Sequence, residues 1–229
     1  MKLLLLTAVL SCTLLTMENM QAQDWAQLEH FREANSDLPA LKDNENRVVF
    51  MGNSITIGWQ HAMPEFFENN PYVNRGIGGQ TTPQMLIRFR QDVIDLQPKV
   101  VVILAGTNDI AGNTGPSSLK MIMDNIASMA ELARANGIAV VLSSVLPAED
   151  YPWRPGLRPN EKIPALNTMI KDYAAANNFI YLDYFRALAN SKNGMDKTLA
   201  TDGVHPTRAG YEIMVPLVKT AIKKALAQT

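Results

Sequence analysis

The stretch Val100-Val101-Val102-Ile103-Leu104, which runs on into Ala105-Gly106-Thr107-Asn108-Asp109, decides the fold of this chain. Five consecutive apolar residues, most of them β-branched, carry no inside-outside alternation, so a strand made of them is covered on both faces. Two covered faces require a layer of helices on each side of the sheet. The same kind of run recurs at Arg47 to Met51 (RVVFM), Tyr72 to Arg75, Ala139 to Ser143 (AVVLS) and Phe179 to Leu182, giving five expected strands. Between them, Thr82 to Leu96, Ser117 to Asn136 and about Glu161 to Asn177 carry apolar residues at helical spacing, and Thr207 to Ala227 closes the chain as a last helix. Asn136-Gly137 reads as a helix stop. The expected fold is therefore α/β, a three-layer sandwich around a mainly parallel sheet, in a single domain over 23–229.

The composition agrees with that reading. The chain has 229 residues, of which 47% are apolar and 19% charged, which excludes a disordered, collagenous or disulfide-stapled protein. Its 21 Lys and Arg against 22 Asp and Glu leave a net charge of −1, too little field to hold nucleic acid or an anionic membrane surface. Met1-Lys2 followed by an apolar run from Leu3 to about Leu15 is too short to span a bilayer and suits the h-region of a secretory signal, with cleavage expected after Ala22. Residues 1–22 are thus expected to direct export to the periplasm or beyond, without stable membrane insertion. The single cysteine, Cys12, lies inside this segment. A lipidated Cys12 after Val9-Leu10-Ser11 is disfavoured because Thr13-Leu14-Leu15 continues the apolar stretch instead of opening a polar tether.

One irregular stretch stands out. From Leu146 to Pro164, Pro147, Pro152, Pro155, Pro159 and Pro164 are expected to interrupt any regular element, while Tyr151, Trp153 and Leu157 suit either an ordered pocket wall or a loop packed on its own domain. Met85, Met121, Met123 and Met129, at helical positions, are expected to fill the core.

In an open parallel sheet, ligands bind outside the carboxyl ends of the strands. Three polar or glycine-rich clusters fall there: Gly52-Asn53-Ser54-Ile55-Thr56-Ile57-Gly58, Asn74-Arg75-Gly76-Ile77-Gly78-Gly79-Gln80-Thr81-Thr82, and Gly106-Thr107-Asn108-Asp109. A fourth, Asp202-Gly203-Val204-His205-Pro206, precedes the last helix. Singly, each is what turns and caps are made of. Together they supply a hydroxyl, an imidazole with a carboxylate three residues before it, and additional donors. A serine hydroxyl becomes a nucleophile when a base removes its proton, and the base works best when a carboxylate fixes its tautomer. Of the three histidines, only His205 has a carboxylate at such local spacing; His30 and His61 do not. The Ser54 and Gly79 amides with the Asn108 side chain can serve as the donors that acyl transfer needs for its oxyanion.

These four blocks resemble, in order, those of the SGNH hydrolases, the GDSL-type esterases and lipases, and they span Gly52 to Pro206. The stretch from Asn74 through Arg88, continuing into VVVILAGTND, is especially similar to the catalytic subunits of intracellular platelet-activating-factor acetylhydrolase and their bacterial relatives. The resemblance implies a flavodoxin-like sandwich of five parallel strands, Ser54 as nucleophile, His205 as general base, Asp202 as its orienting carboxylate, and Ser54, Gly79 and Asn108 as the oxyanion hole. It also implies removal of short acyl groups, commonly acetyl. Where the family usually has aspartate before the nucleophile, this chain has Asn53.

Other scaffolds lack support. There is no G-x-S-x-G and no G-x-x-x-x-G-K-[ST], and Gly76 to Thr82 departs from G-x-G-x-x-G at its last position. Asn53, Asp109, Asp202 and His205 do not make a metal set without H-x-H or H-E-x-x-H spacing, so neither metal nor cofactor is expected. The expected activity is hydrolysis of short acyl esters of a carbohydrate or similar polar compound. Asn53, Asp109, Trp153 and Arg154 are candidate substrate contacts, the last two because YPWRPGLRP offers an aromatic face and cations. Two alternatives stay open: a lysophospholipase or thioesterase acting on longer chains, and a non-catalytic glycan- or lipid-binding module on the same scaffold.

Overall fold

The computed structural model describes residues 24–42 and 44–228; the expected export segment lies outside them. In chain order the elements are α1 (Arg32–Ser36), β1 (Val48–Gly52), α2 (Ser54–Ala62), α3 (Pro64–Glu68), β2 (Tyr72–Gly76), α4 (Thr82–Asp92), β3 (Val100–Leu104), α5 (Thr107–Ile110), α6 (Leu119–Ala135), β4 (Ala139–Ser143), α7 (Pro159–Ala176), β5 (Ile180–Leu182), α8 (Tyr184–Leu188) and α9 (Arg208–Leu226). The five strands form one parallel sheet in the order β2-β1-β3-β4-β5.

The unalternating runs are covered on both faces. Val49, Met51, Val101 and Ile103 join Met85, Phe89, Ile122, Ile126 and Leu166 from α4, α6 and α7 in one core. Val48, Phe50, Val100, Val102 and Leu104 pack instead with Ile55, Trp59, Phe66, Tyr211, Met214 and Val218 from α2, α3 and α9. Successive residues of one strand thus feed opposite cores, as the pleat requires.

Several elements differ in extent from the sequence expectation. The first strand begins at Val48, and Arg47 before it turns its guanidinium to the carbonyls of Leu96 and Pro39. The helix expected from Thr82 to Leu96 ends at Asp92, and Ile94–Leu96 continues as a 3₁₀ turn. The first helix of the site, α2, is not among the helices that apolar spacing predicts.

The stretch Leu146 to Pro164 is not irregular throughout, since α7 starts at Pro159 and continues through Pro164. Pro159 occupies the first turn, where a missing N–H costs nothing. Pro164 leaves the carbonyl of Asn160 without its helical donor, and the Asn193 side chain supplies one at 3.0 Å. Met85, Met123 and Met129 are buried as expected, whereas Met121 is 54% exposed. The helix stop holds its expected form, with Gly137 at φ 71° after Asn136.

Candidate active site

Strand register builds the site edge. Gly52, the last residue of β1, pairs with Gly76, the last of β2, and with Leu104, the last of β3. The Asn53-Ser54, Ile77–Gln80 and Ala105–Asp109 segments therefore leave the sheet side by side, where β1 turns to neighbours on both flanks. The approach is close. A Cβ on Gly76 would stand 2.4 Å from the Ile57 nitrogen and 2.8 Å from the Asn53 carbonyl oxygen, so only glycine lets α2 begin against the end of β2.

Ser54 is the first residue of α2, and Asn53 caps it by accepting the Ile55 N–H on Oδ1 at 3.0 Å. The cap needs an acceptor, not a charge, so an amide fills the place that aspartate usually holds. Asn53 is buried, with its Oδ1 taken up by the turn. Ser54 thereby sits at the positive end of the helix dipole.

Its Oγ lies 2.9 Å from Nε2 of His205, while Nδ1 of that ring lies 2.6 Å from Oδ2 of Asp202. The other carboxylate oxygen accepts the N–H groups of Val204 at 2.9 Å and His205 at 2.8 Å. Partial burial raises the Asp202 pKa, but these hydrogen bonds, led by the His205 N–H, outweigh it and hold the carboxyl below its ordinary value. A carboxylate only accepts, so Nδ1 carries the imidazole proton and Nε2 offers its lone pair to the Ser54 hydroxyl. Such an arrangement can transfer the hydroxyl proton to the ring.

On the other side of Ser54, Asn108 is buried in α5, and its Nδ2 donates to the Gln80 carbonyl at 2.9 Å, which leaves a second N–H of that amide. Gly79, at φ 74°, turns its carbonyl to Asn113 at 3.0 Å. Neither the Ser54 nor the Gly79 amide donates to an acceptor among the described residues.

The model of the GDSL-like lipase/acylhydrolase family matches residues 50–213, a span that holds all of these groups. The chain belongs to that family. A GDSL-like lipase from Bacteroides thetaiotaomicron has a solved structure that is 48% identical, with a TM-score of 0.85, covering 87% of this chain and 98% of its own. Esterase TesA of Pseudomonas aeruginosa is 27% identical over 180 residues, 77% of this chain and 83% of TesA. The uncharacterized lipoprotein YqeF of Bacillus subtilis is 38% identical over 82 residues, and that match spans only 34% of each chain. By family, the protein is a carboxylic ester hydrolase. Among the described residues, no helix is long and apolar enough to cross a membrane, and no three His, Cys, Asp or Glu side chains group as a metal site would require.

The remaining candidates of this GDSL-family chain fall in different places. Asp109 lies behind the site: its oxygens accept the Thr82 N–H at 3.0 and 3.1 Å and the Thr82 hydroxyl at 2.5 Å, clamping the first turn of α4. Burial pushes its pKa up to about 6 against those hydrogen bonds. Trp153 is 45% exposed, stacks on Tyr151 with ring centroids 5.3 Å apart, and stands 6.0 Å from the His205 ring. Arg154 donates from Nη1 to the carbonyls of Ala111 and Gly112, both at 2.7 Å, which pins the loop to the segment after α5. Tyr151, fully buried, pins it again through Thr107, 2.8 Å from hydroxyl to hydroxyl. The loop so fixed borders two hollows, one of about 700 Å³ that includes Asp150, Pro155 and Asp202, and one of about 590 Å³ that includes Asp109, Arg154 and Lys162.

Sequence reasoning missed the support under the glycine block. Arg88 is fully buried and donates to Gln80 Oε1 at 2.6 Å, Asp92 at 2.9 Å, and the carbonyls of Gly52 and Arg75 at 3.1 and 2.9 Å. The signal was available. Arg88 and Asp92 fall three and seven residues after Met85, on the face of α4 that the apolar pattern assigns to the core.

Proposed function

We propose that this protein hydrolyses short acyl, chiefly acetyl, esters of a carbohydrate or similarly polar alcohol through an acyl-enzyme on Ser54. The observation that carries the reading is the chain of contacts from Ser54 Oγ to His205 Nε2 at 2.9 Å and from His205 Nδ1 to Asp202 at 2.6 Å. Ser54 Oγ attacks the ester carbonyl as Nε2 takes its proton. Negative charge gathers on the carbonyl oxygen, where the Ser54 and Gly79 amides and the second N–H of Asn108 receive it. Collapse breaks the bond to the alkoxy oxygen, which leaves with the proton from His205. Water then adds to the acyl-enzyme by the same base, and the carboxylic acid departs as Ser54 regains its proton. Asp202 stabilises the imidazolium in both halves.

Support for a polar leaving group comes from the loop wall. Trp153 presents a ring beside the imidazole, and charged side chains stand at both flanking hollows, Asp150, Lys197 and Asp202 at one and Asp109, Arg154 and Lys162 at the other. Cleavage after Ala22 and export belong to the same proposal, and N-terminal sequencing of the mature protein checks them. The deciding experiment is hydrolysis of p-nitrophenyl esters from acetate to dodecanoate beside Ser54→Ala. The expected result is turnover that favours acetate and vanishes in the variant. An optimum at long chains would favour the lysophospholipase or thioesterase, and no turnover with any ester, together with no Ser54 adduct from a fluorophosphonate, would favour a binding module.

A further inference from the structure

Resting on that reading of Asn108 as an oxyanion donor, we infer that Gln80 is a positioning residue, one that sets the polarity and place of the Asn108 amide without touching substrate. Gln80 is 1% exposed, and each of its polar atoms is engaged. Its backbone carbonyl accepts Asn108 Nδ2 at 2.9 Å, and its N–H meets the Ile77 carbonyl at 3.4 Å. Its side-chain Oε1 accepts Arg88 Nε at 2.6 Å, and its Nε2 donates to the Ala26 carbonyl at 2.9 Å.

The chemistry follows from what each group can do. A carbonyl oxygen placed beside a carboxamide admits its NH₂ end and repels its oxygen, so the Gln80 carbonyl fixes which end of Asn108 stands next to the glycine turn. The amide then has one N–H bound and one left for an incoming oxyanion. A 180° flip would present Oδ1 there and oppose the charge that develops. The Gln80 carbonyl can discriminate only if its own peptide is held, and that peptide follows Gly79, which at φ 74° has no side chain of its own to hold the turn. The side chain supplies the hold, because both ends of its amide are bonded. Arg88, itself fixed to the ends of β1 and β2 through Gly52 and Arg75, pulls on Oε1, while residues 24–36 reach over α4 and take Nε2. The same N-terminal segment is bound along α4 by Gln84 to the Trp25 carbonyl at 2.7 Å and by Gln91 to the Leu28 carbonyl at 2.7 Å. The oxyanion side is thus braced by a buried relay, Ala26 to Gln80 to Asn108, with Arg88 as its anchor.

A double-mutant cycle tests this. Gln80→Met keeps the volume and removes both side-chain hydrogen bonds; Gln80→Glu keeps the acceptor for Arg88. With p-nitrophenyl acetate, Gln80→Met is expected to lower kcat about tenfold or more with KM within about twofold, and Gln80→Glu to lose less. In an Asn108→Ala background the same changes should cost less than about threefold, since the amide they position is gone. The inference is overturned if a Gln80 variant loses as much activity beside Asn108→Ala as beside Asn108, or if a folded Gln80→Met keeps its kcat. Should Gln80→Met fail to fold, the cycle is read with Gln80→Glu on the same criterion. A failure of the underlying reading shows differently, as wild-type kcat in Asn108→Ala alone or as turnover in Ser54→Ala.

Discussion

The two sides of Ser54 are built by opposite means. The Asp202–His205 side is a four-residue turn, closed by its own backbone amides, with side chains 38% and 41% exposed. The Gly79–Asn108 side is held from beneath by a buried net in which Arg88, Asp92 and Gln80 are at most 1% exposed, bond to one another, and reach Gly52, Asn35 and Ala26, which lie 36, 57 and 54 residues away. Val204 ties this turn to the core, but the Asp202 and His205 side chains stand outside it, so those two groups can be changed with little cost to stability. The buried net serves two ends at once, and damage there reaches both the fold and the rate.

The largest effect is expected on the exposed side, and on rate alone. Asp202→Asn cannot stabilise an imidazolium and favours the wrong tautomer, so kcat is expected to fall by about 10⁴-fold, as such changes do in catalytic triads. The turn survives, because the amide oxygen still accepts the Val204 and His205 N–H groups. Thermal melting should therefore move by no more than a few degrees, and a large drop would break the contrast. Next comes Arg88→Met, which removes a buried cation from Asp92 and strands the acceptors at Gly52, Arg75 and Gln80. Breaking a buried pair costs about 3 to 5 kcal/mol. Urea denaturation should show that loss, and an unchanged midpoint would mean that the net is not what holds the glycine block.

The same contrast explains what could be read from sequence. The runs RVVFM, VVVIL and AVVLS disclose a doubly covered parallel sheet because burial on both faces is written in consecutive residues. Asp202 and His205 disclose themselves because a carboxylate three residues before an imidazole is a local pattern. Helix α2 was hidden, since Asn53-Ser54 followed by Ile-Thr-Ile-Gly carries β-branched residues and a glycine that favour other conformations, and tertiary packing of Ile55 and Trp59 overrides that preference. The roles of Gln80 and Asp109 were hidden for a different reason: their partners stand 54 and 27 residues away, and no local spacing records such a bond. Trp153 and Arg154 are neighbours in one loop, yet only the tryptophan ring stands beside the imidazole, while one guanidinium nitrogen of Arg154 is bound to the main chain.

Buried Asp109 sharpens the comparison through pH. Its folded pKa of about 6 lies above the ordinary 3.8, so between those values the folded chain keeps a proton that the unfolded chain has released. Its contribution to stability is full below the lower value and is lost as pH rises through the higher one. Asp202 has the opposite sign, because its lowered pKa gives stability that disappears as pH falls, but that contribution is common to wild type and an Asp109 variant and cancels in their difference. Relative to Asp109→Asn, wild type should lose about 2 to 3 kcal/mol between pH 4 and pH 7. Parallel urea midpoints across that range would remove Asp109 from the buried net's titration.

The smallest effect belongs to the exposed wall, and it tests whether that side adds recognition to chemistry. Trp153 packs one face on Tyr151, which stays pinned by Thr107 whether or not the indole is present. Truncation to alanine should therefore leave melting nearly unchanged. A stacked aromatic contact is worth about 0.5 to 1.5 kcal/mol, so Trp153→Ala should raise KM for acetylated saccharides by about two- to tenfold. Against p-nitrophenyl acetate, whose leaving group is small and already activated, kcat should change little. Equal losses on both substrates would make Trp153 a support for the His205 ring, and the exposed side would then be braced like the buried one.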